Sequence, residues 1–343
     1  MMKILVRGTN WIGDAVMSIA ALRELRRLFP KAHIALHTRS WAQGIFRDAS
    51  FIDEIIPFDE GRSNFRTMLA EARSLRKKNF DLAILLPNSF RSAAMVKLAG
   101  IPNRIGYATD GRSMLLTKAV KVPAWKSSRH EVFYYVELIA ETARHFGVVD
   151  KTTSEPSIFL EVSYSRKLNA QRLLQDTGLK SNVPIIAMGP GSTNSLAKRW
   201  PAKNFAILND KLKLDLNADT VLLGSENETE VGQAVIDLSV SPPASLIGKT
   251  SLEDVSALLN VVDLFVSNDM GLAHLAAAVG TKTVVIFGPT DPTTTRPFSD
   301  EAVVVREPVE CSPCMLRDCP IDHRCMTRIL PEKVYTVITD LLK

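Results

Sequence analysis

The sequence predicts two α/β domains in series, each containing a doubly wound parallel sheet. Short apolar segments alternate with helix-length segments, which is typical of parallel sheets covered by helices on both faces. The alternation stops at a polar stretch over 150–156 that ends in proline, and it restarts near residue 185. A chain of 343 residues is long enough for two domains that each bury a core. We therefore predict a first domain over 1–160 and a second over 161–343.

Apolar periodicity indicates four strands and four helices in the first domain. The predicted strands cover 3–7, 33–38, 52–58 and 81–86. The predicted helices cover 15–28, 67–78, 92–99 and 130–146. The last helix should end at Gly147, because glycine readily adopts the left-handed conformation that often follows a helix.

The second domain repeats this pattern. Its predicted strands cover 185–188, 220–223, 245–247, 264–267 and 283–287, and its predicted helices cover 165–177, 230–238, 252–259 and 272–278. A final helix is expected to pack back on the first domain. Ligands of doubly wound sheets bind beyond the carboxyl ends of the strands, so the loops that follow the strands are the candidate sites.

The charge of the chain is unevenly distributed. Residues 1–160 contain 24 Lys and Arg against 15 Asp and Glu, whereas residues 161–343 contain 18 against 22. A basic first domain suits an anionic partner, such as a nucleic acid, an acidic lipid or a phosphorylated glycan, although an ordinary solvated surface gives the same count. No uncharged apolar stretch approaches the roughly 18 residues that cross a bilayer, and the first residues do not resemble a signal peptide. We therefore expect a cytoplasmic protein that is able to sit on a membrane surface.

The loop after the first strand, from Gly8 to Asp14, contains the most informative acid of the first domain. Its glycines allow tight turning, but they do not form the G-x-G-x-x-G pattern of dinucleotide-binding folds. Asp14 stands at the start of a helix, where the helix dipole favours the ionised carboxylate. Such an acid is either a general base at the rim of a ligand site or a plain helix N-cap.

Three loops of the second domain contain side chains suited to a nucleotide. Loop 189–194 is followed by Lys198, and small residues with a cation after a strand suit a phosphate or diphosphate, although the loop is not a Walker motif. Glu226 follows the next strand, where an acid commonly accepts hydrogen bonds from ribose hydroxyls. Segment 268–274 ends a strand and opens a helix, which again suits a phosphate. The alternative interpretations are an exposed basic loop, a surface acid and, for His274, a helix-surface histidine.

The cysteines form one cluster near the end of the sequence. Stable disulfides are not expected in a cytosolic protein. The spacing C-x2-C-x4-C-x5-C permits a structural zinc site, with reduced and buried thiols as the alternative. No catalytic role is expected for these residues, which are Cys311, Cys314, Cys319 and Cys325.

Four segments in this order resemble the lipopolysaccharide heptosyltransferases, a family of inverting glycosyltransferases with the GT-B fold. The segments are NWIGD at 10–14, KRWP at 198–201, DMGLAH at 269–274 and the cysteine-bearing tail at 311–326. The resemblance extends over essentially the whole chain, and the tail is most similar to the type II members. It implies two Rossmann-like domains that face each other across a cleft.

The resemblance also implies a reaction, the inverting transfer of L-glycero-D-manno-heptose from ADP-heptose to the first heptose of the Kdo–lipid A inner core. By position, Asp14 matches the proposed base and Lys198 the cation beside the donor phosphates. The other donor-binding positions would be Ser192, Thr193, Glu226, Asp269, Met270, Gly271 and His274. The acceptor-binding positions would be Asn10, Trp11, Gly13, Arg62, Arg66, Lys126 and Arg129. Met270 replaces a threonine of close relatives, so its side chain is expected to make no hydrogen bond.

No cofactor is expected for catalysis, because Lys198 and helix N-terminal amides are suited to stabilise the departing diphosphate. The expected partners are ADP-heptose, the heptosyl-Kdo-lipid A acceptor and the cytoplasmic face of the inner membrane. The protein is expected to be a monomer that binds no nucleic acid. The alternatives are a different core position, another GT-B nucleotide-sugar transferase or epimerase, and a nucleotide- or nucleic-acid-binding module without turnover.

Overall fold

The computed structural model of the protein describes residues 1–59, 65–148, 155–180 and 182–343. It contains two compact units, Met1–Ile158 and Phe159–Lys343. The boundary drawn from the sequence, between residues 160 and 161, lies two residues beyond this division. Within the described ranges, none of the helices has both the length and the apolar character needed to cross a membrane.

The first unit contains a sheet of six parallel strands in the order β3-β2-β1-β4-β5-β6. The strands are β1 Lys3–Arg7, β2 His33–Arg39, β3 Glu54–Phe58, β4 Leu82–Leu85, β5 Asn103–Tyr107 and β6 Lys118–Val120. The four strands predicted from the sequence are all present. Strands β5 and β6 were not predicted, because β5 includes polar residues and a glycine, and β6 has only three residues.

The described part of this unit has five α-helices: α1 Ile12–Met17, α2 Ile19–Leu28, α3 Phe65–Arg76, α4 Phe90–Leu98 and α5 Glu131–His145. The single helix predicted over 15–28 is wrong, since the structure has two helices that meet at Ser18. The Ser18 hydroxyl donates a 2.7 Å hydrogen bond to the Ala15 carbonyl and so competes with the regular helical bonds. Gly147, with φ of 70°, follows α5 as predicted.

The second unit also contains six parallel strands, in the order β12-β11-β10-β7-β8-β9. They are β7 Ile185–Gly189, β8 Asp219–Leu222, β9 Ala244–Ser245, β10 Leu264–Asn268, β11 Lys282–Phe287 and β12 Ala302–Arg306. The helices are α6 Tyr164–Asp176, α7 Ala202–Leu216, α8 Thr229–Leu238, α9 Leu252–Val261, α10 Gly271–Ala278, α11 Pro292–Thr295, α12 Arg324–Thr327 and α13 Pro331–Leu342. Helices α7, α11 and α12 and strand β12 were not predicted from the sequence.

The last helix, α13, packs against α7, β11 and β12. Its side chains Val334 and Ile338 are fully buried in the core of the second unit. Packing of this helix on the first unit, which the sequence analysis expected, stays a prediction.

The order of the strands in each sheet defines one switch point, where the direction of winding reverses. In the first sheet it lies between β1 and β4, and in the second between β7 and β10. The loops that leave the carboxyl ends of these strand pairs diverge, which opens a crevice where doubly wound sheets bind ligands. The predicted doubly wound α/β class is confirmed, and the topology selects the loops after β1, β4, β7 and β10.

Candidate active site

Asp14 lies beside the switch point of the first sheet, in the first turn of α1. The N-cap of this helix is Trp11, so the interpretation of Asp14 as an N-cap is wrong. The Tyr135 hydroxyl, on α5, donates a 3.2 Å hydrogen bond to Oδ1 of Asp14. Asp14 is half-buried, whereas Tyr135 is buried, and burial together with the nearby Asp14 carboxylate raises the pKa of Tyr135 well above its ordinary value. The phenol therefore keeps its proton and acts as the donor.

The start of the same loop contains buried polar atoms. Oγ1 of Thr9 and Oδ1 of Asn10 are buried and have no hydrogen-bond partner among the described residues. Trp11, the next residue, is 54% exposed, and Gly13 is half-buried. An exposed aromatic ring beside buried acceptors and a carboxylate suits a sugar, whose faces are apolar and whose hydroxyls are donors.

The predicted cations of the first unit differ in their surroundings. Arg66 is exposed and lies in the first turn of helix α3, although the helix predicted from the sequence begins only at residue 67. Nζ of Lys126 forms an ion pair with Glu131, and this lysine also lies 4.4 Å from the centre of the Tyr134 ring. Arg129 is exposed and stacks on the Phe133 ring at 3.6 Å. Arg62 lies outside the described residues.

Lys198 lies at the switch point of the second sheet, where it contacts a buried carboxylate. Its Nζ is 2.6 Å from Oδ2 of Asp269, which also accepts a 2.7 Å hydrogen bond from the Thr290 hydroxyl. Asp269 follows β10 and is buried, while a quarter of the Lys198 side chain is exposed. The carboxylate and hydroxyl therefore hold the ammonium group at the carboxyl edge of the sheet, where it remains accessible to a ligand.

Asn268 joins the loops that surround this ion pair. Its Nδ2 donates to the carbonyls of Pro190 and Gly191, at 2.8 and 3.0 Å, and its Oδ1 accepts a 2.9 Å bond from the Trp200 amide. The side chain is completely buried. One amide group thus fixes the loop after β7, the segment that contains Lys198 and the end of β10 relative to one another.

The acids that follow β8 have different environments. Glu226 is exposed in a 3-10 helix, as a ribose-binding acid would be. Glu228, in contrast, is buried, with 2% of its surface exposed. Its Oε2 accepts bonds from the Ser225 amide and hydroxyl, and its Oε1 lies 2.0 Å from where a Cβ on residue 191 would stand. The loop after β7 can therefore lie on Glu228 only because Gly191 has no side chain.

The other predicted donor-binding residues lie on the loop after β7 and at the start of helix α10. Ser192 is buried, and its carbonyl accepts a bond from Arg199, whereas Thr193 is exposed. Met270 is the N-cap of α10, so the helix, which begins at Gly271, directs backbone N–H groups toward the switch point. His274 is buried in the first turn of this helix.

Comparison with known proteins identifies the family. The model of glycosyltransferase family 9 (heptosyltransferase) matches residues 68–324. The chain is 33% identical over 319 residues to lipopolysaccharide heptosyltransferase 2 of Salmonella typhimurium, with 89% of this chain and 88% of that protein covered. It is 32% identical over 317 residues to lipopolysaccharide heptosyltransferase 2 of Escherichia coli, with the same coverage. The structure of E. coli ADP-heptose lps heptosyltransferase II superposes with a TM-score of 0.84 at 30% identity, covering 99% and 98% of the two chains. The chain belongs to glycosyltransferase family 9.

Membership of family 9 confirms the resemblance drawn from the four motifs and identifies the protein as a glycosyltransferase. It also confirms the GT-B class that the sequence predicted. The predicted cleft concerns the placement of one unit against the other, and it stays a prediction.

The cysteine-bearing tail of this family 9 protein supports the segment that contains Lys198. The carbonyl of Arg317 accepts bonds from the Ala197 amide and the Ser195 hydroxyl, at 2.9 and 3.0 Å. His323 Nε2 lies 2.6 Å from the Ala197 carbonyl. The Met315 amide donates to the Pro289 carbonyl, beside Thr290. The tail therefore contacts the segment that contains Lys198 and the segment that contains Thr290, the two residues that contact Asp269.

The four thiols themselves are free, and Cys325 is the buried one. Burial and the neighbouring cysteines raise the pKa of Cys325 to about 11, so it stays protonated at neutral pH. Among the residues that the structure describes, no group of three or more His, Cys, Asp or Glu side chains is placed to hold a metal ion.

Three residues that contact the predicted site were not proposed from the sequence: Tyr135, Asn268 and Thr290. Each acts through a contact that is distant in sequence, and Tyr135 is 121 positions from Asp14. Asn268 stands directly before the predicted Asp269, and this position beside the motif is the one feature of the sequence that points to it.

Proposed function

We propose that this family 9 glycosyltransferase transfers L-glycero-D-manno-heptose from ADP-heptose to the first heptose of the Kdo–lipid A inner core of lipopolysaccharide, with inversion at the anomeric carbon. The relatives named lipopolysaccharide heptosyltransferase 2 support the substrate class. The observation that supports the reaction most directly is the Lys198–Asp269 pair at the switch point of the second sheet.

The loops of the second unit suit the ADP part of the donor. The diphosphate would lie between Lys198 and the N-terminus of α10, where a cation and backbone amides act on the same anion. Glu226 would accept hydrogen bonds from the ribose hydroxyls. Ser192 and Thr193, on the loop after β7, and Met270, Gly271 and His274, at the start of α10, would border the diphosphate.

The loop after β1 suits the sugar acceptor. An alcohol is a weak nucleophile at neutral pH, so a base must take its proton as it attacks. Asp14 is the acid beside the switch point of the first sheet, and its half-buried position leaves it within reach of a ligand. Asn10, Trp11 and Gly13 would contact the acceptor sugar, while Arg62, Arg66, Lys126 and Arg129 would serve its phosphates and carboxylates.

In the proposed reaction, the acceptor oxygen forms a bond to the anomeric carbon of heptose as the bond from that carbon to the diphosphate oxygen breaks. The proton of the acceptor hydroxyl passes to Asp14. The electron pair of the broken bond stays on ADP, where Lys198 and the α10 amides stabilise the added negative charge. A single displacement of this kind inverts the anomeric carbon.

Lys198 and the helix amides supply the positive charge that a divalent cation provides in other transferases, so we propose that catalysis requires no metal. Saturating EDTA should leave the rate of transfer unchanged, and loss of activity that Mg²⁺ restores would contradict this proposal. A structural zinc at Cys311, Cys314, Cys319 and Cys325 stays a separate proposal, which elemental analysis of protein purified without added metal tests.

The acceptor of the proposed reaction is anchored in a membrane, so we propose that the enzyme works at the cytoplasmic face of the inner membrane. We also propose that it is a monomer. The exposed Arg66 and Arg129 would contribute to attraction by anionic lipid. Sedimentation with vesicles that contain anionic lipid should fall as salt increases, because surface charge attraction is screened.

Incubation of the purified protein with ADP-heptose and an inner-core acceptor tests the reaction. We expect consumption of ADP-heptose, release of ADP and a new glycosidic bond whose anomeric configuration in NMR is opposite to that of the donor. UDP-sugars should support no transfer. Asp14→Asn should abolish turnover and still bind ADP, and wild-type turnover in this variant would refute the assignment of the base.

A further inference from the structure

The position of Asp14 depends on packing, because helix α1 has only six residues. A helix of that length is not stable by itself in water. Ser18 marks the break between α1 and α2. A contact from another element of the first unit is therefore able to contribute to the orientation of the carboxylate.

Helix α5 provides such a contact from a rigid support. The rings of Tyr107, on β5, and Tyr134, on α5, stack with centres 4.0 Å apart and planes 12° apart. The Tyr107 hydroxyl also donates a 2.7 Å bond to the Tyr134 carbonyl. The backbone that precedes Tyr135 is thereby fixed to the central sheet, and Tyr135 is directed at Asp14.

We propose that Tyr135 is a positioning residue for the base, and that its buried hydroxyl orients the Asp14 carboxylate and stabilises it in the ionised form. The proposal rests on the proposed function of Asp14. Only ionised Asp14 can accept the acceptor's proton, and a hydrogen bond donated to a carboxylate favours that ionised form. A charge-assisted bond is also stronger than a neutral one, so it restricts the side chain to one orientation.

The other titratable groups next to Tyr135 have contacts of their own. Burial of Tyr135 and the charges of Asp14 and Glu131 all oppose ionisation of the phenol. Glu131 forms its ion pair with Lys126. Tyr134, the adjacent residue, contacts Asn88 through its hydroxyl, with Nδ2 of Asn88 at 3.1 Å.

This arrangement provides a matched control, because Tyr134 and Tyr135 are neighbours on one helix and both are buried. Tyr135→Phe removes the hydroxyl that contacts Asp14, whereas Tyr134→Phe removes one that does not. Each change deletes a single buried oxygen. A general effect on the folding of α5 should therefore appear in both variants.

The experiment measures kcat as a function of pH for the wild type and both variants, together with the Kd of ADP. For Tyr135→Phe we expect kcat to fall at least about tenfold, since a hydrogen bond to a charged group is lost. The acid limb of the profile should move to higher pH by about one unit. The Kd of ADP should not change, and the acid limb of Tyr134→Phe should coincide with that of the wild type. An acid limb of Tyr135→Phe that coincides with the wild type overturns the inference.

A second measurement does not depend on turnover. The titration of ¹³C-labelled Asp carboxyl groups, with Asp14→Asn used to identify the Asp14 signal, should show the same upward movement in Tyr135→Phe alone. An unchanged titration overturns the inference even if the enzyme is active. Absence of heptose transfer by the wild type, or full activity of Asp14→Asn, would instead refute the proposed function.

Discussion

The substitution Asn268→Ala tests whether one buried amide organises the donor site. It deletes three hydrogen bonds, to Pro190, Gly191 and Trp200, in a position without access to water. At about 1 kcal/mol for each bond, the free energy of unfolding should fall by about 3 kcal/mol. For a unit of this size that corresponds to a fall in Tm of about 6–12 °C. Because the loop after β7 is no longer fixed to the Lys198 segment, the Kd of ADP should rise at least about tenfold.

Asn209→Ala is the matched control. Asn209 is also buried, but it lies on α7, where its Nδ2 donates to the Ser241 carbonyl at 2.8 Å and its Oδ1 accepts from Thr220, near the amino end of β8. Its loss should lower stability without changing the Kd of ADP. Denaturant unfolding and isothermal titration calorimetry with ADP measure both quantities. An Asn268→Ala protein that is destabilised but binds ADP as the wild type does would refute the reasoning.

Three further predictions concern single side chains. Lys198→Ala should raise the KM of ADP-heptose and lower kcat, whereas the exposed Lys203→Ala should leave steady-state kinetics unchanged. The substitution His323→Asn introduces a residue that tolerates the left-handed backbone at φ of 57°. The shorter side chain does not reach the Ala197 carbonyl, so ADP should bind about fivefold more weakly in calorimetry. Burial, followed by the charge of Arg7, lowers the pKa of His37 from 6.5 to about 3. The folded protein therefore keeps His37 neutral. The stability that neutral His37 contributes is complete above pH 6.5. It is lost as the pH falls from 6.5 toward 3, by up to about 1.4 kcal/mol per pH unit. Between pH 6.5 and 5, the free energy of unfolding of His37→Gln should change less steeply with pH than that of the wild type.

The fold was largely predictable because burial on both sides of a parallel sheet produces continuous apolar runs. The predicted strand 264–267 corresponds to β10, whose residues are all buried. Strand β5 was missed because it lies near the edge of the sheet and tolerates Arg104 and Gly106. Helix α7 was also not predicted, although it contains apolar residues at helical spacing, including Phe205, Leu208 and Leu212.

The candidate site was predictable only where a motif places a residue directly on a loop at a switch point. Asp14 and Lys198 belong to this class. The contact of Tyr135 with Asp14 and that of Thr290 with Asp269 arise when separate strands and helices pack together. No local pattern identifies such pairs, and the burial of Glu228 beneath Gly191 likewise depends on the approach of two loops.

In the proposed reaction the protein adds a second heptose to an inner core that already contains one. The most direct measurement is incubation with ADP-heptose and three defined acceptors, Kdo–lipid A with zero, one or two heptoses, followed by mass spectrometry of the products. We predict one added heptose on the acceptor that contains a single heptose and none on the other two. Transfer to the acceptor without heptose, or no transfer to any of the three, would contradict the account.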